Sequence, residues 1–202
     1  MNHRHLLLSA VAVGCALHIA GASAQTGAGA ARPAENAASQ AAASRLSKAE
    51  TSFLKDAAHN GHAEVKSSQL ALQKAQNPKT RAFAQQMVDE HTKVNQELAA
   101  LAASKNVRVP DGPSMVQEAK LKLLNAADGA DFDKRYAETM GLQAHKDTIA
   151  LFEKGVRNAR DPEVKAFAEK TLPSLKHHLE MAQQLAPDVG VTAEKTEKSR
   201  KP

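Results

Sequence analysis

The feature that most constrains this chain is a hairpin turn that occurs twice. Asn77-Pro78, followed by Arg81-Ala82-Phe83-Ala84, returns 84 residues later as Asp161-Pro162, followed by Lys165-Ala166-Phe167-Ala168. In each copy a side-chain oxygen can accept from the free amides of a helix start, and Pro takes the first helical position, where no donor is missed. The apolar residues on both sides of each turn recur at helical spacing. Two helical hairpins of this kind predict an all-α fold, an antiparallel four-helix bundle.

Taken in order, the first helix spans about 47–75. Ser47 and Glu50 form a capping box at its start, and Phe53, Ala57, Glu64, Ala71 and Ala75 share one face. The second spans about 78–104, with Phe83, Met87, Val94, Leu98 and Leu101 as its stripe and His91 at the edge. Two prolines and a glycine make 106–113 a loop. A short crossover helix at 114–127 carries Met115, Leu121 and Leu124. The third long helix starts near Asp131. Its stripe is Leu142, His145, Ile149, Phe152 and Val156, with Tyr136 and Met140 on an adjacent face. The fourth runs from Asp161 to about Ala186 and aligns Phe167, Thr171, Leu175, His178, Ala182 and Leu185. Aromatic residues make up only 3% of the chain, so Ala and Leu must fill most of the interior, which suits closely packed helices.

The ends read differently. Residues 1–24 resemble a secretory signal: Arg4, an apolar run from Leu6, and Ala22-Ser23-Ala24 as a cleavage site. The expected location is periplasmic or secreted. Lipid anchoring through Cys15 is the less favoured alternative, because Ala12-Val13-Gly14 matches a lipidation site weakly. Cys15 is the only cysteine, so a chain cleaved after Ala24 has no thiol. An Ala/Gly-rich flexible leader is expected at 25–45, the bundle domain at 46–187, and a disordered basic tail at 188–202. The net charge of +5 is mild, and part of it lies in that tail, where Lys195, Lys198, Arg200 and Lys201 stand against Glu194 and Glu197. No aromatic residues alternate with the basic ones to stack bases, which argues against nucleic acid. No transmembrane segment is expected in the mature chain. The leader and tail leave room for envelope or membrane-surface contact.

The candidate site comes from counting outward from the two turns. Glu64 lies 13 residues before Asn77 and His91 14 after it; His145 lies 16 before Asp161 and His178 17 after it. Residues equidistant from an antiparallel turn lie level with each other. If the hairpins align, His91, His145, His178 and Glu64 converge in the core, where helical proteins build metal sites. Three imidazoles and a carboxylate suit one transition-metal ion, Zn, Cu, Ni, Fe or Mn, without choosing among them. The competing reading is a metal-free polar network in which Glu64 pairs with a histidine and sets helix register. Glu90 points about 100° away from His91, which gives it a supporting or surface role rather than ligation. His59, His62 and His177 read as surface residues. Positions 88, 142 and 175 are Val, Leu and Leu, so the Glu-x-x-His pairs of dinuclear carboxylate enzymes are missing. No haem-attachment motif, phosphate loop or nucleophile elbow is present either, and the sequence favours a non-enzymatic role.

The segments FLKDAAHNGHAEV, NPKTRAFAQQMVDEHTKVNQEL, DFDKRYAETMGLQAH and DPEVKAFAEKTLPSLKHHLEMAQQL together resemble the domain-of-unknown-function 4142 family of exported bacterial proteins. The resemblance covers about 48–186. It rests on Glu64, His91, Tyr136, Met140, His145, Pro173 and His178. It implies a ferritin-like fold and export, and carries no established reaction. Three functions then compete. One is a module holding a single metal ion for buffering, sensing or envelope stress protection. Another is a metal-free structural or interaction module of the envelope. The third, a haem carrier using Met87 or Met140, lacks the large side chains to line a haem pocket.

Overall fold

The computed structural model describes residues 46–192. The signal, the leader and most of the basic tail expected from sequence lie outside them. Among the described residues the protein is all-α, with no strand. The helices are α1 (Lys48–Lys74), α2 (Pro78–Ser104), α3 (Met115–Asn125), α4 (Gly129–Tyr136), a π-helical segment (Ala137–Ala144), α5 (His145–Asn158) and α6 (Pro162–Asp188). The stretch from α4 through the π segment to α5 is continuous. No helix among the described residues is long and apolar enough to cross a membrane.

The local chemistry explains the boundaries. Ser47 and Glu50 make the capping box of α1, and Ser114 with Gln117 makes another on α3. Asn77 and Asp161 cap α2 and α6, each with Pro next in line. The α1/α2 and α5/α6 pairs pack along each other from these tight turns. Contacts of α1 with α5, and of α2 with α6, join the two hairpins. Alanines 63, 71, 84, 168 and 182 are fully or almost fully buried, which lets the helix backbones approach closely.

Two carboxylates lock the hairpins together reciprocally. One Glu50 oxygen accepts from the amides of Arg160 and Asp161 at 2.7 and 2.8 Å, at the turn of the other hairpin. Its second oxygen holds the Ser47 amide and hydroxyl. Asp133 does the same at the first turn, accepting from the amides of Gln76 and Asn77 at 3.1 and 3.0 Å. Four turn amides that no helix can satisfy thus find partners across the molecule. Burial would raise the Glu50 pKa, but the amides of Asp161 and Arg160 and the Ser47 contacts outweigh it and hold it at about 2.

The structure alters several expectations. Tyr136 and Met140 do not lie off the core face; both are buried with Leu142 and His145. The π segment accounts for this. Its wider turn adds residues per turn, so a 100° count misplaces whatever lies before it. Met115 is 89% exposed, and the inner face of α3 is Leu121 and Leu124 alone. The α6 helix runs past its expected end near Ala186, through Pro187 to Asp188. Beyond it, Val191 is buried and its amide bonds the Ala186 carbonyl.

Candidate metal centre

The apolar core has two halves. One gathers Phe83, Met87, Phe132, Tyr136 and Met140; the other gathers Phe53, Leu98, Phe152, Phe167 and Leu175. In sequence along three of the helices a histidine separates the two: His91 on α2, His145 at the start of α5, and His178 on α6; on α1 Glu64 sits at the near edge of the first half, just after Ala63. All four are at most 3% exposed. The hairpins do bring the three histidines to one level. Their ring centroids stand 5.6 Å (His91–His145), 5.1 Å (His91–His178) and 5.5 Å (His145–His178) apart. One ligand-capable atom from each lies within 4.8 Å of the others.

Hydrogen bonds set the tautomers. His145 Nδ1 lies 3.0 Å from the Met140 carbonyl, which can only accept, so Nδ1 carries the proton and Nε2 the lone pair. The π segment supplies that carbonyl, five residues before the histidine. His178 Nε2 lies 2.8 Å from a Glu90 oxygen and donates to it, which leaves the lone pair on Nδ1. Glu90 is itself held by Gln86 at 2.7 Å and by Ser174 at 2.9 Å. Burial would raise its pKa, but the bonds from His178, Gln86 and Ser174 prevail and keep it low, as a carboxylate. The atoms left over are His91 Nε2, His145 Nε2 and His178 Nδ1. All three are buried and have no hydrogen-bond partner among the described residues.

The rings are neutral at physiological pH. Burial drives His91 well below the usual imidazole range, helped by His145 and His178. Burial also brings His145 to about 4, against the opposing bond to Met140. His178 is lowered by burial despite Glu90. Glu64 is pushed by burial up to about 8. It lies 3.8 Å from His145 Nδ1, the nitrogen facing Met140 rather than the other histidines, and it does not join the cluster of three. Burial thus favours the uncharged form on both sides of the Glu64–His145 contact.

Other sequence candidates fall outside this layer. His177 is exposed. His59 is half-buried rather than exposed, and its Nδ1 donates to the Gly112 carbonyl at 2.8 Å, tethering the loop before α3. Glu90 is the residue whose part the sequence understated. Its partners were legible as i,i+4 spacings, Gln86 to Glu90 and Ser174 to His178, but the contact joining the two helices was not.

Residues 35–185 match a family model described as a domain of unknown function, DUF4142. The chain belongs to that family. No curated protein matches this DUF4142 chain. Its fold is similar to solved structures titled "CopM in the Cu(I)-bound form" and "CopM in the Cu(II)-bound form". These are 15% and 18% identical, each with a TM-score of 0.58, 69% of this chain covered and 96% of the other. It is also similar to a conserved hypothetical protein from Mycobacterium tuberculosis, at 15% identity, TM-score 0.56, and 72% and 95% coverage. At these identities the likeness concerns the fold.

Proposed function

We propose that this DUF4142 chain is an exported ferritin-like four-helix bundle that holds one transition-metal ion on His91 Nε2, His145 Nε2 and His178 Nδ1. The observation that carries this is that three imidazoles, each with one buried, unpartnered ring nitrogen, put a ligand-capable atom apiece within 4.8 Å of one another. Leaving even one such atom without a partner costs about 1–3 kcal/mol. A neutral imidazole with its other nitrogen bonded to a carboxylate or a carbonyl is the usual state of a metal-ligating histidine, and both arrangements occur here. Imidazole nitrogens suit copper, zinc, nickel and iron. The copper in the titles of the CopM neighbours makes copper the first ion to test.

Within this proposal Glu64 lies beside His145 and is not a ligand of the bound ion. Glu90 orients His178 and supplies a compensating negative charge. The ion is enclosed by helices with no carboxylate pair beside it. That arrangement favours holding an ion, for buffering, sensing or stress protection in the envelope, over turning over a substrate. The accompanying proposal for the chain ends is a cleaved signal at 1–24, an Ala/Gly-rich leader to 45 and a basic tail that begins beyond the buried Val191.

The test is direct. The chain, purified without a histidine tag, is titrated with Cu(I), Cu(II), Zn(II), Ni(II), Fe(II) and Mn(II). At least one ion should bind well below micromolar, about 8 kcal/mol or more of binding free energy. His91→Ala and His178→Ala should abolish the binding, and His177→Ala should leave it intact. Only weak binding, or equal loss in the His177 variant, refutes the assignment.

A further inference from the structure

The three imidazoles are sealed from solvent, so an ion needs a way in. The two larger surface cavities, about 450 and 200 Å³, touch neither the histidines nor Glu64. A smaller cleft of about 60 Å³ does reach the layer. Glu64, Met140 and Ala144 line it together with Asn60, Gln117 and Thr148. Exposed Asp147 and Lys120 also border it. A chain of hydrogen bonds crosses the cleft: Gln117 Nε2 donates to Asn60 Oδ1 at 2.6 Å, and Asn60 Nδ2 donates to Thr148 Oγ1 at 3.2 Å. Gln117 belongs to α3, a helix of 11 residues with Met115 and Leu123 exposed, so one end of this chain rests on a short element packed over α1.

Glu64 is the other notable feature. Its carboxyl is buried, lines the cleft, and is engaged by no hydrogen bond among the described residues; it lies 3.8 Å from His145 Nδ1 and close enough to the buried Tyr136 to act on it electrostatically. Burying such a group without a partner costs stability unless it has another use. A carboxyl between an opening and the first imidazole can release its proton to the cleft as it takes an ion shedding water, and recover a proton from the cleft when the ion passes on.

We propose that this cleft is the metal's entrance, with Glu64 as a transfer ligand between solvent and His145, and the Gln117–Asn60–Thr148 hydrogen bonds as its closure. The inference rests on the three-imidazole site. Because transfer groups act on entry and exit alike, altering them should change rates and leave the equilibrium in place.

The experiment measures loading and release of Cu(I), supplied from a coloured chelator, by stopped-flow on the full chain. Glu64→Leu removes the oxygen donor at similar volume, and both rates should fall by about tenfold with Kd within about threefold of the parent. Gln117→Ala opens the closure, and both rates should rise by roughly fivefold, the effect of one lost hydrogen bond. A Glu64→Leu chain that instead loses affinity through faster release would make Glu64 a permanent ligand and overturn the transfer role. Unchanged rates in both variants, with binding intact, would overturn the entrance alone. No binding by the parent chain would refute the three-imidazole site itself, and the entrance with it.

Discussion

Replacing His91 by Leu should make the metal-free protein more stable while destroying its metal site. His91 is 3% exposed, and its Nε2 is buried with no partner. Its neighbours along α2 are Met87 and Leu98, both buried, so Leu enters an apolar stripe at a similar volume. Removing an unsatisfied buried nitrogen returns about 1–3 kcal/mol, and imperfect packing of Leu takes back part of it. A net gain of about 1–2 kcal/mol corresponds to roughly 2–8 °C in Tm for a domain of this size. The assay is calorimetric melting in the presence of a chelator, then with metal at 100-fold excess over Kd. The parent should gain about 2.7 kcal/mol on loading, and the variant nothing. The reasoning fails if His91→Leu melts several degrees below the parent in chelator. That result would mean His91 is an ordinary, satisfied core residue whose contacts matter more than its lone pair.

Three further outcomes follow from the same geometry. Glu64 has a folded pKa of about 8 against an ordinary 4.5, so the folded state keeps a proton that the unfolded state releases. Stability should therefore fall as pH rises from 4.5 through 8, by at most about 5 kcal/mol at 1.36 kcal/mol per unit. Denaturant melts of metal-free Glu64→Gln at pH 5 and 8.5 should show that decline removed. Glu50 has the opposite sign, with a folded pKa of about 2. Its contribution is complete above 4.5 and disappears as pH falls through 2, so Glu50→Ala should cost about 2–3 kcal/mol at pH 7 and nothing near pH 2. Because burial keeps His145 neutral to about 4 and lowers His91 and His178 as well, bound metal should be retained at pH 5.5, where exposed histidines would already release it. Equilibrium competition titrations at pH 7.5 and 5.5 check this.

Much of the helical plan was legible because it depends on local chemistry. Ser47, Asn77 and Asp161 cap helices wherever they stand before helical residues, and Pro78 and Pro162 suit the first turn irrespective of the fold. Counting from the two turns placed His145 level with His178, since an antiparallel hairpin preserves height. The 100° count failed across residues 137–144, where the π-helical turn departs from the α period, so Tyr136 and Met140 were set on the wrong face. Met115 was assigned inward by its apolarity alone, although one short helix cannot bury every apolar residue it carries.

The helix starts, the duplicated hairpin, the family and the polar residue carried by each long helix are all legible along the chain. Each of these follows from neighbours a few positions apart or from the order of residues. Only the tertiary structure decided how those polar residues differ from one another. It brought three imidazoles together in edge-on and tilted contacts and left Glu64 beside them rather than among them. It also joined Glu90 to His178 across 88 positions, and used Glu50 and Asp133 to bind each hairpin to the other's turn. The physical reason is that a side chain's burial, tautomer and charge depend on which helix faces it. That is set by the packing of the whole molecule and has no local trace.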